Sequence, residues 1–257
     1  MSIIRNNSMD NIALKNWRWI TFLDNLIEQI SIFDIEAIEI PNRFLYKKSV
    51  TRSSKNQMTI TTSTWACKFN KIRQVRAACI EGGGSFSVLN LLIQPSNYHE
   101  LPFFGADFVT LPKGHLLALD LQPALKFDSL HTQVVWPRLL SIHKYWQSVL
   151  PSGGAIPTEA QSFFSPGFLW SRLPLSKESD TMISDFLKPA FAEYLALYID
   201  LIKNSEAVSK ERALKILEGQ KNYINYRSTK DPARAMLTRL YGNDWTETYI
   251  NEVLFNV

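Results

Sequence analysis

The stretch MTITTSTWACKFNKIRQVRAACIEGGGSFSVLNLLI, residues 58–93, decides the fold class of this chain. It is rich in Thr and in branched apolar side chains, which favour extended strands. With two short runs further on, the predicted strands are residues 58–65, 68–80, 86–93, 108–110 and 116–121. Gly82, Gly83 and Gly84 separate two of these runs and predict a hairpin turn. Successive strands with short connections predict an antiparallel meander.

Helical patterns lie on both sides of this segment in the sequence. The predicted helices are residues 14–33, 131–149, 180–204, 209–226, 231–240 and 243–255. Pro189 should kink or divide the third of them, and the Pro- and Gly-rich residues 151–174 predict a long loop with a functional role. Because no domain boundary is visible, we predict one domain over residues 1–257. Its expected α/β fold is a three-layer α/β/α sandwich with a central antiparallel sheet.

The composition limits the class of protein. The chain has 257 residues, of which 46% are hydrophobic and 20% charged, as in globular proteins. Cys67 and Cys79 are the two cysteines, which excludes a disulfide framework and indicates a reducing compartment. There is no run of 18 apolar residues that could cross a membrane, and residues 1–15 lack the apolar core of a secretory signal. We therefore expect a cytoplasmic location.

The charge is spread unevenly along the chain. Residues 40–80 hold nine basic and no acidic residues, so the rest of the chain holds 19 basic against 24 acidic ones. A local positive field steers acidic partners, although a solvated strand face explains the pattern equally well. Strands with basic and aromatic residues could also bind single-stranded nucleic acid. The acidic remainder and the lack of a nucleic-acid module disfavour that interpretation.

The signatures of common enzyme classes are missing. Residues 82–85 form neither a GxGxxG motif nor a P-loop, and a strand follows them rather than a helix. The four histidines are scattered without the spacing of metal ligands, and no GxSxG motif marks a hydrolase. The sequence therefore predicts neither a nucleotide site nor a metal site of these types.

Two polar side chains stand in apolar surroundings. Asn90 shares a predicted strand face with Val88 and Leu92, and a buried amide without a partner costs about 1–3 kcal/mol. It therefore needs a partner or a ligand. Asp107 follows an apolar run, and in a pocket its burial would favour the protonated form and make it a usable proton donor. An aspartate in a turn after Gly105 is the alternative interpretation.

Asp231 has two compatible interpretations. Followed by Pro232, it is a signal for the start of a helix, because Asp caps helices and Pro fits the first helical position. At the mouth of a pocket, the same residue would also present a carboxylate. Basic side chains suited to binding carboxylates are Arg227, Lys230, Arg234 and Arg172.

Several blocks resemble the ferredoxin-dependent bilin reductases. The central-strand blocks are FSVLNLLIQP, residues 86–95, and YHELPFFGAD, residues 98–107. The C-terminal blocks are KDPAR, residues 230–234, and WTETYINEVLF, residues 245–255. The likeness runs in order over nearly the whole chain. Residues 64–67, 73–79 and 114–123 look most like the phycoerythrobilin-forming branch of the family.

The resemblance implies a fold and a reaction. It implies the α/β/α sandwich, with an open-chain tetrapyrrole held between the sheet and the C-terminal helices. It also implies that no metal or other cofactor is bound and that reduced ferredoxin, an acidic protein, supplies single electrons. The implied reaction is the two-electron reduction of the A-ring diene system of 15,16-dihydrobiliverdin to phycoerythrobilin. A related reductase that acts on biliverdin and a non-catalytic bilin-binding protein are the alternatives.

The resemblance also implies roles for single positions. Asp107 matches the central proton donor of the family, and Asp231 matches a second aspartate on the helix side. Asn90 stands where the phycocyanobilin-forming relatives carry a catalytic histidine, which argues against their D-ring vinyl chemistry here. Arg172 matches a residue that binds a substrate propionate, and Arg234 is a second candidate for that role. The sequence leaves open whether a preceding bilin reductase hands the substrate over directly.

Overall fold

The computed structural model describes residues 17–52, 57–83 and 86–256. Residues 1–16, which include the start of the predicted helix 14–33, lie outside these ranges. Residues 84 and 85 also lie outside them, and of these Gly84 belongs to the predicted hairpin turn. Within the described ranges, no helix has both the length and the apolar character that crossing a bilayer requires.

Eight strands in the described part of the chain form one sheet. They are β1 Glu36–Ala37, β2 Tyr46–Arg52, β3 Gln57–Phe69, β4 Ile72–Glu81, β5 Ser87–Pro95, β6 Phe103–Leu111, β7 Gly114–Gln122 and β8 Leu169–Leu173. Their order is β1-β3-β4-β5-β6-β7-β8, with β2 also paired to β3, and every pair is antiparallel. The predicted meander, including the hairpin between β4 and β5, is confirmed.

The boundary between β3 and β4 differs from the prediction. The turn lies at Asn70 and Lys71, inside the run predicted as one strand, and Lys71 takes a left-handed φ of 69°. Its ammonium group donates hydrogen bonds to the carbonyls of Ile202 and Ser205, each at 2.8 Å. The Lys71 side chain thus ties this turn to the end of a distant helix, while Asn70 is the turn residue that the local sequence offers.

Helices precede and follow the strands. They are α1 Ile20–Ile30, α2 Asn42–Leu45, α3 Ser129–Thr132, α4 Trp136–Val149, α5 Thr158–Gln161, α6 Lys177–Met182, α7 Lys188–Asn204, α8 Lys210–Thr229, α9 Arg234–Tyr241 and α10 Asn243–Thr248. Single π-helical segments, Ile183–Leu187 and Tyr249–Leu254, follow α6 and α10. Pro189 cannot donate a backbone hydrogen bond, and the first π-helical segment ends two residues before it, so the helical run 177–204 continues through a local change of hydrogen-bond pattern rather than a break. Ser209 caps the start of α8, since its hydroxyl accepts a hydrogen bond from the backbone amide of Arg212.

The Pro- and Gly-rich segment is more ordered than predicted. Residues 151–174 contain α5 and the edge strand β8, which pairs with β7. The five residues Leu169–Leu173 show no clear apolar alternation in the sequence, and they form a strand by pairing with the edge of β7.

The sheet lies between two helical layers. On β5, Leu89, Leu91 and Ile93 are buried against one layer in a core shared with α1, α4 and α7. The opposite face carries a second apolar cluster shared with α8, α9 and the C-terminal segments. There the hydroxyl groups of Thr64 and Tyr249 lie 2.7 Å apart and hold the helical layer to the sheet. The predicted three-layer α/β/α sandwich is confirmed.

Candidate functional site

A cavity of about 650 Å³ lies between the second face of the sheet and the C-terminal helices. Strands β4 to β8 form its floor, residues 155–172 form one wall, and α8 and α9 cover it. The volume is in the range of sites for small organic ligands, and most of the lining is apolar. The space can hold a flat, largely apolar molecule.

The strand register brings the predicted polar residues together in the cavity. Asn90 of β5 lies opposite Ala78 of β4 and Asp107 of β6. Asp107 in turn lies opposite Ala118 of β7, which lies opposite Trp170 of β8. Since side chains alternate between the two faces of a strand, this row crosses the cavity floor as a unit.

Asp107 has a hydrogen-bond donor at each carboxylate oxygen. The Asn90 amide nitrogen donates to Oδ1 at 2.6 Å, and the Arg227 guanidinium forms a salt bridge with Oδ2 at 3.0 Å. Asp107 lies in the middle of β6, so the interpretation as a turn aspartate is wrong. Its carboxylate is presented to the cavity instead.

Arg76 of β4 is part of the same network. Its side chain is fully buried, and Nη1 donates hydrogen bonds to the side-chain oxygen of Asn90 at 2.5 Å and to its backbone carbonyl at 3.1 Å. Burial lowers the pKa of Arg76, and the nearby Asp107 and Asp231 carboxylates partly offset this. In the sequence, Arg76 is distinguished only as one of the nine basic residues of 40–80. The available signal was that Arg76 stands two residues before Ala78, the strand partner of Asn90, and therefore lies on the same face of β4.

Asp231 lines the cavity from the helical side. Its Oδ1 accepts a hydrogen bond from the backbone amide of Ala233 at 2.7 Å, and α9 begins at Arg234, three residues later than predicted. Burial raises the pKa of Asp231, and the Arg227 cation opposes that shift. Asp231 therefore holds a proton to a higher pH than a free aspartate does.

Arg227 links the two aspartates electrostatically. Burial lowers its pKa, but Tyr223, Asp107 and Asp231 raise it by more, so Arg227 stays a cation. The sequence analysis placed Arg227 in a basic cluster suited to carboxylates, and Asp107 is a carboxylate that it binds.

Asp120 is a third carboxylate in the lining that the sequence analysis missed. It lies on β7 opposite Gly105, and both the backbone amide and the hydroxyl of Ser165 donate hydrogen bonds to it. Burial raises the pKa of Asp120 to about 7. Because its oxygens are bound to Ser165, Asp120 attaches the wall segment of residues 155–172 to the sheet.

We expect Asp120→Asn to change the pH dependence of stability. A carboxyl whose pKa is raised in the folded state costs stability as pH rises from about 4 to about 7, by at most about 1.4 kcal/mol per pH unit. The free energy of unfolding of the variant, relative to wild type, should therefore increase over this range and level off above it. Urea unfolding at pH 5, 6, 7 and 8 measures this difference.

Asp128→Asn is the matched control for that experiment. Hydrogen bonds from Arg212 and Lys215 lower the pKa of Asp128, so its contribution to stability is lost only at acidic pH. Its stability difference from wild type should be constant from pH 5 to pH 8. A constant difference for Asp120→Asn as well would contradict the raised pKa of Asp120.

Aromatic rings and a cation form the cavity wall at the sheet edge. The rings of Phe164 and Phe168 are stacked at 4.0 Å, and Phe168 lies parallel to Trp170 at 6.2 Å. The Arg172 guanidinium lies 5.3 Å from the centre of the Trp170 ring. Arg172 is exposed and lines the cavity, and it has no carboxylate within 4.0 Å among the described residues.

The positions of two arginines of α9 differ from the prediction for the substrate-binding residues. Arg234 donates hydrogen bonds to Glu247 and to the carbonyl of Ser228, and it is not among the residues that line the cavity. Arg239, further along α9, is exposed and lines the cavity. The structure therefore brings Arg172 to the site and leaves Arg234 in a contact between helices.

The basic segment is divided by the structure. Arg76 and Lys71 are bound within the protein, and Arg73 donates a hydrogen bond to Gln94. Arg43 and Lys48 are exposed near the helical layer that covers the cavity, and Lys68 is exposed but paired with Glu36. A smaller set of cations than the sequence suggested is thus available to an acidic partner.

The comparisons with known proteins agree with this fold and site. Residues 23–256 match the family model described as ferredoxin-dependent bilin reductase, and the chain belongs to this family. It is therefore an oxidoreductase whose electron donor is reduced ferredoxin, which confirms the family resemblance in the sequence.

Curated relatives and a solved structure narrow the position within the family. The chain is 63% identical to the phycoerythrobilin:ferredoxin oxidoreductase of Prochlorococcus marinus strain SARG over the full length of both chains. It is 59% identical to the protein of that name in Prochlorococcus marinus strain MIT 9211, with 98% of each chain covered. A crystal structure of phytochromobilin synthase from tomato in complex with biliverdin superposes with a TM-score of 0.80 at 26% identity, covering 93% of this chain and 83% of that one.

Proposed function

We propose that this chain reduces the A-ring diene system of 15,16-dihydrobiliverdin to phycoerythrobilin, with two electrons from reduced ferredoxin. The observation that carries the proposal is the apolar cavity with Asp107 on its floor, Asp231 on its helical side and Arg227 acting on both. The names of relatives at 51–63% identity support phycoerythrobilin as the pigment. Asn90 in place of a histidine favours this chemistry over D-ring reduction.

Two protons must accompany the two electrons, and we assign them to Asp107 and Asp231. The reaction adds two electrons and two protons to the diene, so each aspartate breaks one O–H bond as a C–H bond forms on the pigment. Burial raises the pKa of Asp231, which favours the protonated form that a donor requires. Each carboxylate left behind is stabilised by Arg227, which stays positively charged.

Two arginines at the rim of the cavity are suited to binding the carboxylates of the substrate. Bilins carry two propionates, and Arg172 and Arg239 are the exposed cations that line the cavity. We propose that Arg172 binds one propionate, with its guanidinium oriented by the Trp170 ring. Arg239 is suited to the other.

An anaerobic assay with a ferredoxin-reducing system tests the proposed reaction. With 15,16-dihydrobiliverdin the expected result is a ferredoxin-dependent change of the absorbance spectrum to that of phycoerythrobilin. With biliverdin no turnover is expected. Reduction of biliverdin would favour the related reductase, and binding without any colour change would favour a bilin-binding protein.

The propionate contacts have their own test on the ligand side. Esterifying both propionates removes their charge and leaves the pigment system intact. The dimethyl ester should therefore bind about tenfold or more weakly than the free acid. Equal affinities would contradict the role of the rim arginines.

The single-domain organisation, the cytoplasmic location and direct transfer from a preceding bilin reductase stay predictions.

A further inference from the structure

Arg76 is the least expected charged residue of the structure. Its side chain is fully buried, yet it has no carboxylate within 4.0 Å among the described residues. Within the same residues, Nε and Nη2 have no hydrogen-bond acceptor. The guanidinium has Asn90 as its polar partner and lies 5.7 Å from the centre of the Phe255 ring.

Stability does not explain a guanidinium at this position. Moving a cation out of water costs several kcal/mol, and a neutral amide recovers less of that cost than a carboxylate does. An apolar side chain of similar volume would fill the same space without the penalty. Arg76 also does not line the cavity, so it does not contact the substrate directly. Its direct hydrogen-bonded route to the cavity is through Asn90, which lines it.

The chemistry of the guanidinium fixes the orientation of the Asn90 amide. Arginine donates hydrogen bonds and accepts none, so it requires the amide oxygen of Asn90 on its side. The amide nitrogen then faces Asp107, where it donates to Oδ1 at 2.6 Å. Without Arg76, the Asn90 amide would be oriented by Asp107 alone, and a protonated Asp107 could donate its O–H to the amide oxygen instead of accepting from the nitrogen.

We propose that Arg76 is a positioning residue that holds the Asn90 amide with its nitrogen on Asp107. This inference rests on the proposed role of Asp107 as a proton donor. Because the Asn90 amide donates to Oδ1, a proton on Asp107 is directed to Oδ2, where it shares the oxygen with the hydrogen bond from Arg227. When that O–H bond breaks and the proton passes to the reduced pigment, the carboxylate keeps Asn90 on one oxygen and Arg227 on the other.

A double-mutant cycle with Asn90 tests this dependence. Arg76→Met and Asn90→Leu should each lower kcat about tenfold and change the KM for the bilin less than about twofold. Because Arg76 acts through Asn90, the double variant should be no slower than the slower single variant. Losses that multiply, to about a hundredfold, would overturn the proposal. Arg76→Lys, which keeps a charged donor in a similar volume, should restore most of the rate.

A measurement without any bilin separates this proposal from the proposed function. In 15N–1H NMR spectra of the free protein, the Asn90 side-chain amide is identified by its loss in Asn90→Leu. In an otherwise wild-type protein this signal should move when Asp107 is replaced by Asn, because the amide nitrogen donates to the Asp107 carboxylate. The movement should be lost in Arg76→Met and kept in Arg76→Lys. If Arg76→Met keeps it, the proposal is wrong, whatever the bilin assay shows.

A second variant covers the case in which Arg76→Met does not fold. Arg76→Gln is polar and uncharged, and its amide can present either its oxygen or its nitrogen to Asn90. It should therefore lose the same NMR movement while tolerating burial better. An unchanged NMR movement and unchanged kcat in Arg76→Gln would equally overturn the proposal.

Discussion

Asp107→Asn is expected to lower turnover at least about a hundredfold while the affinity for the bilin changes less than about threefold. Asn has the shape of Asp but cannot supply an acidic proton, so the chemical step is lost and the cavity is kept. The amide introduced by this substitution would also face donors on both sides, Asn90 and Arg227, and could accept from only one of them. We therefore expect a further loss of about 1–3 kcal/mol in the free energy of unfolding.

Single-turnover spectra with reduced ferredoxin measure this effect, and absorbance titration measures the bilin affinity. Asp185→Asn is the matched control, because Asp185 is exposed and belongs to the helical layer on the other side of the sheet. It should keep the wild-type rate. Turnover of Asp107→Asn within a few-fold of wild type would remove Asp107 from the mechanism.

Asp231→Asn should stop the reaction at a later point. With Asp107 intact, the first electron and one proton can still reach the pigment, but the second proton has no donor. We expect a radical or half-reduced species to persist, and formation of phycoerythrobilin to slow about a hundredfold. Electron paramagnetic resonance during a single turnover detects the radical directly.

The pH dependence of kcat provides a second test of the role of Asp231. Asp231 must be protonated to donate, and burial raises its pKa, so wild-type kcat should be constant at low pH and fall as pH rises through that pKa. In Asp231→Asn this fall should disappear from the residual rate. Asp231→Glu is the control, since it keeps the acid on a longer side chain and should recover part of the rate. A radical that decays at the wild-type rate in Asp231→Asn would assign the second proton to another group.

The strands and the long helices were predictable because their signals are local. Thr and branched residues mark β3 to β5, and the glycines mark the turn between β4 and β5. The turn at Lys71 was harder to predict, since Asn70 is its local signal and the contacts of Lys71 with the end of α7 are not local. In the same way, β8 depends on its pairing with β7.

The site was predictable as separate residues but not as an arrangement. Asn90 and Asp107 each stood out as polar in an apolar run, yet their pairing depends on the register of β5 and β6. Arg76 and Asp120 were missed because burial and partners, not residue type, make them unusual. Arg234 was placed in the site from its type and position, and its bond to Glu247 shows how a nearby acid changes that outcome.

The two faces of the sheet have different roles in the protein. One face is filled by side chains from α1, α4 and α7, whereas the other encloses the cavity and its charged groups. The side chains of α1, α4 and α7 therefore contribute to stability from the face that lies away from the cavity. A more thermostable variant can therefore be sought by redesigning the side chains of α1, α4 and α7, none of which lines the cavity.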